Sequence, residues 1–77
     1  MSYKLAENPK GRSLACKRRQ LGLTQHDLAR AVGISVNRLV FAETGRVTLE
    51  PETMHKIRHA LRKHARRMLR KLEELEA

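Results

Sequence analysis

The sequence is short of several features that define large classes of protein. It contains one cysteine, Cys16, which cannot form an internal disulfide and is typical of a protein in a reducing cytosol. No apolar run is long enough to span a bilayer, and the N-terminal stretch MSYKLAENPK has no apolar core of signal-peptide length. We therefore expect a cytoplasmic protein that does not bind a membrane.

Constellations that carry catalysis or bind a metal are also missing. A chain of 77 residues has a small core, which leaves little room for an internal catalytic cavity. No serine or cysteine has a recognisable base and orienting group. His55 and His59 stand four residues apart, but no cysteine or carboxylate stands at ligand spacing, so we favour solvated side chains over a metal site. The sequence indicates neither an enzyme nor a cofactor.

Acidic residues are scarce. Seventeen Lys and Arg stand against eight Asp and Glu, which gives a formal net charge of +9. This excess adds self-repulsion to a small fold unless an anionic partner is present, and nucleic acid is the usual partner of that kind. Eight of the basic residues lie between Lys56 and Lys71 with no acid among them. A solvated basic face is the alternative interpretation of that run.

The N-terminal part of the chain is expected to contain an arm and one helix. Residues 1–9 show no periodicity and are assigned to the arm. Asn8 followed by Pro9, or else Ser13, is the candidate start of the first helix. Gly22 ends that helix, whose last residue is expected about two positions earlier.

Two further short helices follow, each opened by a capping residue and closed by a glycine. Thr24 caps the second helix, and Asp27 completes a weak capping box three residues later. Gly33 permits the left-handed backbone that stops a helix and turns the chain sharply. Ser35 caps the third helix, and Gly45 closes it. Because helices this short are marginal in water on their own, they must pack against each other.

After Pro51 the chain contains neither proline nor glycine. Since proline has its backbone preset for a first helical turn, the fourth helix is expected to open near Glu50 or Pro51. Apolar residues then recur every three or four positions, at Met54, Ile57, Leu61, Ala65, Met68, Leu72 and Leu75. This spacing predicts a single long or kinked helix with a heptad-like stripe. With no strand-like alternation anywhere, the predicted fold is all-α, a small helical bundle.

One set of residues stands at intervals typical of a known family. It consists of the run KRRQLGLTQ, then Leu28, Ala29, Gly33, Ser35, Leu39, Glu43 and Gly45. With these residues, the segment 12–61 resembles the Cro/C1-type helix-turn-helix domains of phage repressors and small bacterial regulators. The resemblance implies a DNA-binding domain, assigned here to residues 10–61, which inserts a helix into the major groove of double-stranded DNA. It does not extend to residues 62–77, which we expect, from their apolar stripe, to form a helical extension for dimerisation. The family usually adds a turn and a short fifth helix, for which the last residues of this chain have no glycine.

The resemblance also implies roles for individual residues. Arg18 and Glu43 would form a structural ion pair between the first and third helices. The residues implied to meet base edges, from the third helix, are Val36, Asn37, Arg38, Val40 and Phe41. The residues implied to contact phosphates are Gln25, Arg46 and Thr48. Asn37 is the strongest candidate, because it has few structural reasons to stand on this face, whereas ordinary packing is the alternative for Phe41 and the two valines. An asparagine amide can pair with adenine through two hydrogen bonds.

The C-terminal stripe would be exposed in a monomer, and apolar surface of that kind usually marks a contact. Its members are Ala65, Met68, Leu69, Leu72 and Leu75. Basic residues precede Glu73, Glu74 and Glu76, so antiparallel packing of two copies would place acid near base. We therefore expect a homodimeric transcriptional regulator, a repressor that reads an inverted repeat.

Two other functions compete with that expectation. One is an antitoxin-like autoregulator whose C-terminal helix binds a protein partner. The other is a basic amphipathic helix that lies on an anionic membrane.

Overall fold

The computed structural model describes residues 9–76, and the side chains of residues 12–76. Four helices form, namely α1 (Pro9–Gln20), α2 (Gln25–Val32), α3 (Val36–Glu43) and α4 (Pro51–Glu76). No strand occurs within residues 9–76. The prediction of an all-α bundle is confirmed.

The structure tests only part of the prediction for the N-terminal arm, residues 1–9. Pro9 is already helical, as the first residue of α1. The rest of the predicted arm and the candidate cap Asn8 lie outside the described residues. At the other end, α4 runs through residues 61 and 62 as one helix, so the predicted division into a domain of 10–61 and an extension of 62–77 stays a prediction.

Side-chain caps open both short helices as predicted. The Thr24 hydroxyl accepts a hydrogen bond from the backbone N–H of Asp27 at 3.0 Å. The Ser35 hydroxyl accepts one from the backbone N–H of Arg38 at 3.1 Å. Each bond satisfies a donor that has no partner inside the helix, which typically stabilises a helix by about 1 kcal/mol.

Gly33 ends α2 in the left-handed conformation, with a φ of 85°. The N–H groups of Gly33 and Ile34 both donate to the carbonyl oxygen of Ala29, at 2.8 and 3.1 Å. These bonds satisfy a carbonyl at the end of the helix while the chain turns towards α3. The turn between the two helices is therefore specified by local backbone chemistry.

The apolar core lies between α2, α3, the middle of α1 and the first half of α4. Leu28, Leu39 and Ile57 are its largest fully buried side chains. Its other buried members are Leu14, Ala29, Ala42, Leu49 and Leu61. Ala29 and Ala42 are small, which allows helices to approach closely at those positions.

Two positions differ from the sequence-based expectation. Val36, predicted to face outward, is only half exposed and packs against the core. Leu49, for which the sequence indicates no role, is buried in the loop before α4. It stands two residues before Pro51, the first residue of α4, and Met54 packs against the same cluster, an arrangement typical of a hydrophobic staple at a helix start.

Helix α4 extends well beyond the bundle. Its 26 residues correspond to about 39 Å of helix, and the molecule has a longest dimension of 50 Å. Ile57 and Leu61 are buried, whereas every residue from 66 to 76 is exposed. No break divides the helix, so of the two predicted forms the continuous one is found. None of the helices in residues 9–76 combines the length and apolarity needed to cross a membrane.

The turn after α2 generates a test of the local chemistry. We expect Gly33→Ala to lower the free energy of unfolding by about 1–2 kcal/mol, because an L-residue with a side chain is strained at positive φ. Crowding makes no contribution, since a methyl group at Gly33 would meet no atom within 4 Å. Urea denaturation measures the change. Gly33→Asn is the control and should cost less, because asparagine tolerates this conformation; equal costs for the two variants would contradict the explanation.

Candidate nucleic-acid interface

Helix α3 has one buried face and one face open to solvent. Leu39 and Ala42 anchor it in the core, and it packs against both α1 and α2. The open side, called here the recognition face, consists of the exposed Asn37, Arg38 and Phe41 with the half-buried Val36 and Val40. All five residues predicted to meet base edges therefore lie on this one face.

Asn37 is the second residue of α3 and lies within its first turn, which Ser35 caps. Its side chain is exposed, and within residues 12–76 it makes no hydrogen bond. Phe41 lies one turn further along the helix and is 43% exposed, which is high for the single phenylalanine of a small protein. An unused amide and an open aromatic ring side by side are suited to contact with a partner.

A buried ion pair fixes α3 against α1. The Arg18 guanidinium donates from Nε to Oε2 of Glu43 at 2.7 Å and from Nη2 to Oε1 at 3.0 Å. Both side chains are almost fully buried, at 8% and 3% exposure. The remaining Arg18 nitrogen, Nη1, donates to the carbonyl oxygen of Leu23 at 2.8 Å. This two-pronged geometry is the strongest form of carboxylate recognition that arginine offers.

Gln25 belongs to the same network. Its Nε2 donates to Oε1 of Glu43 at 2.9 Å, which ties the first residue of α2 to the last residue of α3. The family resemblance implied a phosphate contact for Gln25 and gave no sign of this bond. The bond uses one of the two Nε2 hydrogens, so the second remains available for an outside acceptor.

Arg38 is joined to the loop before α4. Its Nη2 donates to Oε1 of Glu50, and both side chains are substantially exposed. The hydrogen bond from Arg38 holds the pKa of the Glu50 carboxyl below its ordinary value of 4.5. Glu50 was not among the predicted site residues. The signal that could have indicated it is an acid placed immediately before Pro51, the first residue of α4, and next to the predicted phosphate-contacting loop.

The loop between α3 and α4 carries the other predicted phosphate contacts. Arg46 and Thr48 are both exposed there. The backbone N–H of Arg46 donates to the carbonyl oxygen of Phe41 at 2.8 Å, which closes the end of α3. Buried Leu49 anchors the loop to the core. The loop thus holds Arg46 beside the end of the recognition face.

The residues predicted for dimerisation lie on one stripe of α4. Ala65 is half-buried at the edge of the bundle. The others are exposed, Met68 by 37%, Leu69 by 59%, Leu72 by 55% and Leu75 by 83%. The predicted stripe is therefore present as open apolar surface on this chain.

The buried pair predicts a large cost for removing one partner. We expect Glu43→Ala to lower the free energy of unfolding by about 3–5 kcal/mol, because the Arg18 charge would stay buried without compensation. Glu52→Ala is a matched control: it removes an exposed glutamate that lies 4.0 Å from Lys56, and it should cost less than about 0.5 kcal/mol. Thermal and urea unfolding measure both, and similar costs would refute a structural role for the pair.

The exposed pair predicts a pH dependence with a definite sign. Because the folded-state pKa of Glu50 lies below 4.5, its bond to Arg38 stabilises the fold above that pH and is lost as the pH falls through the lowered value. A carbon-detected NMR titration should find the Glu50 midpoint below 4.5 in the parent chain and higher in Arg38→Ala, where the backbone hydrogen bond at Glu50 still lowers the pKa. Arg46→Ala, which removes a charge from the same region without touching this bond, should leave the midpoint low. A midpoint unaffected by Arg38→Ala would rule out the assigned cause.

Comparison with known proteins identifies the arrangement. A helix-turn-helix family model matches residues 17–68, which include α2, the turn at Gly33, α3 and more than half of α4. The comparisons with curated proteins and with solved structures give no match. The family consists of DNA-binding regulators and is not an enzyme family. The chain therefore belongs to the Cro/C1-type helix-turn-helix family and is a DNA-binding transcription regulator.

Proposed function

We propose that this regulator is a cytoplasmic repressor that binds an inverted-repeat operator as a homodimer. The observation that carries the proposal is the recognition face, an open side of a helix that is fixed by a buried ion pair on its opposite side. A repressor can act simply by covering a promoter. Regulation of that kind fits a chain whose described residues form one small bundle.

Asn37 is the proposed reader of sequence on the recognition face. Its amide can donate to N7 of adenine and accept from the amino group at N6, a pairing worth about 1–3 kcal/mol of discrimination against other bases. Phe41 and Val40 offer apolar surface to thymine methyl groups. Val36, which is partly committed to the core, and Arg38, which is held by Glu50, lie at the margins of the same face.

Backbone contacts would fix the position of that face on the duplex. Gln25 stands at the N-terminus of α2, where free N–H groups and the helix dipole favour an anion. Its bond to Glu43 orients the amide, so that the second N–H can reach a phosphate oxygen. Arg46 and Thr48 would contact phosphates from the loop after α3. Such contacts place the protein without selecting sequence.

The stripe on α4 supports association of two copies. The free energy that its burial would contribute is close to the free-energy cost of association. Fully burying the four large side chains in two copies would contribute about 12–24 kcal/mol, at roughly 1.5–3 kcal/mol each. They are already partly covered in the monomer, so the gain falls to about 7–14 kcal/mol, against an association cost of about 4–15 kcal/mol. Charge pairs or further buried surface would therefore decide whether the dimer is stable.

A two-fold dimer would present two copies of α3 to the same side of a duplex. Two half-sites separated by about 34 Å, one turn of DNA, or by a multiple of that distance, then bind together. Selection of bound fragments from random DNA measures the site, its symmetry and its spacing in one experiment. An inverted repeat is the expected result. The absence of any preferred sequence would contradict the proposal.

The division into base and phosphate contacts gives a paired prediction. We expect Asn37→Ala to relax the preference at one base pair per half-site by about 5-fold to 150-fold, which corresponds to about 1–3 kcal/mol. We expect Arg46→Ala to weaken binding to all sequences alike and to make the log–log dependence of affinity on salt shallower by about 0.9 for each phosphate that is no longer neutralised. Titration of the selected site and its single-base variants at several salt concentrations distinguishes the two. Identical behaviour of the variants would refute the assignment of roles.

Purification separates the repressor from the antitoxin-like alternative. A homodimer that binds the selected site with saturation supports the repressor. A chain that aggregates alone and becomes tractable only with a protein encoded beside it supports the alternative, in which the same stripe on α4 covers that partner.

A further inference from the structure

A groove of about 250 Å³ lies where the end of α1 meets the middle of α4. The family resemblance and the sequence patterns did not indicate it. Its lining is predominantly apolar and comes from Lys17, Gln20, Leu21, Leu61, Arg62 and Ala65. The two cations stand at its edge with exposed side chains, so the groove has an apolar floor and a basic rim.

The two walls of this groove are joined by a hydrogen bond. The Nε2 atom of His64 on α4 lies 3.0 Å from the carbonyl oxygen of Leu21, just after α1. This distance fits an N–H donated by the imidazole to a carbonyl that the helix leaves without a partner. The bond holds the end of α1 against α4, so a ligand of the groove would meet a shape that is already formed.

The groove is continuous with the apolar stripe on α4. Ala65 belongs to both, and Met68, Leu72 and Leu75 follow it along the same side of the helix. A helix laid along the stripe would therefore reach the groove with one of its ends. The residue needed at that end is a bulky apolar one flanked by acid, because the groove is apolar and its rim is basic.

The C-terminal turn of α4 itself has this chemistry. Leu75 is the most exposed large apolar side chain in the described part of the chain, at 83%. It stands between Glu74 and Glu76, while the preceding segment 62–71 contains six Lys and Arg and no acid. Apart from pairs within one turn, such as Arg70 and Glu74, the acidic end of α4 meets the basic segment only when a second copy runs in the opposite direction. A parallel copy would instead place the two basic segments side by side.

We propose that the groove receives Leu75 of a second copy, in an antiparallel dimer in which Glu76 of that copy lies beside Arg62. The inference rests on the proposed homodimer and specifies its surface. By symmetry the contact occurs twice, and Leu75 of the first copy fills the groove of the second.

The register follows from this contact. With Leu75 of the second copy opposite Ala65, Met68 lies opposite Leu72 of that copy, and the two Leu69 side chains meet near the symmetry axis. The large Leu75 of each copy thus covers the small Ala65 of the other. The stripe alone is a ridge about 16 Å long and about 10 Å wide, on the order of 160 Å², whereas a stable interface buries about 800 Å² per partner. The wall supplied by α1 adds surface that the ridge lacks.

Disulfide cross-linking tests the direction and register. In a Cys16→Ser background, the double variant Arg62→Cys with Glu76→Cys should form a covalent dimer rapidly under mild oxidation. The two positions in one chain are about 21 Å apart along α4, so they cannot join within a chain. Glu76→Cys alone should cross-link slowly. Rapid cross-linking of that single variant would show parallel helices and overturn the inference while leaving a dimeric regulator intact.

Charge exchange tests the same contact without a covalent bond. Sedimentation should show that Arg62→Glu and Glu76→Arg each raise the dimer dissociation constant on the order of tenfold, since each places like charges together twice. Combining the two changes should restore most of the parent affinity. Lys63→Glu, the same charge change on the opposite side of the helix, should have little effect. Failure of the combined variant to recover would overturn the inference.

Leu75→Ala separates the groove from the charge pair. Because Leu75 is exposed in the monomer, its truncation should leave the unfolding midpoint of the dilute monomer unchanged and weaken the dimer at least about tenfold. An unchanged dimer would overturn the inference. A parent chain that remains monomeric throughout would overturn it together with the proposed homodimer, and binding to a single half-site would then show whether the DNA-binding function stands on its own.

Discussion

The contact between Arg18 and Glu43 is the constraint on which the arrangement of the short helices depends. One charged pair joins α1 to α3, and through Leu23 and Gln25 it also fixes the entry to α2. Three helices are thus held by a single network in which every described buried side-chain nitrogen or oxygen has a partner. A small core has few apolar contacts with which to select one packing, and polar atoms that tolerate only one geometry supply that selection.

The elements that sequence reasoning predicted well are those specified by local chemistry. Thr24 and Ser35 cap their helices, and Gly33 turns the chain, because each acts on backbone groups within five residues of itself. The continuity of α4 was predictable for the same reason, since nothing after Pro51 interrupts a helix. The outward position of Asn37 and the inward positions of Leu39 and Ala42 follow from helical periodicity.

What the sequence did not predict depends on groups brought together over longer distances. The bonds of Gln25 to Glu43 and of Arg38 to Glu50 join residues 18 and 12 positions apart. The groove beside His64 arises only where α1 stops against α4, a position set by the whole bundle. Each of these features requires the relative placement of two helices.

The unbroken helix α4 also has a mechanical consequence. Its first half is embedded with the elements that carry α3, and its second half carries the surface proposed for pairing, with no hinge between them. The separation and the angular phase of two α3 helices on DNA would therefore be encoded in the number of residues between Leu61 and Leu75. A single inserted residue would rotate one half of α4 by about 100° relative to the other half. The length of α4 would therefore set how the two α3 helices are placed on the duplex.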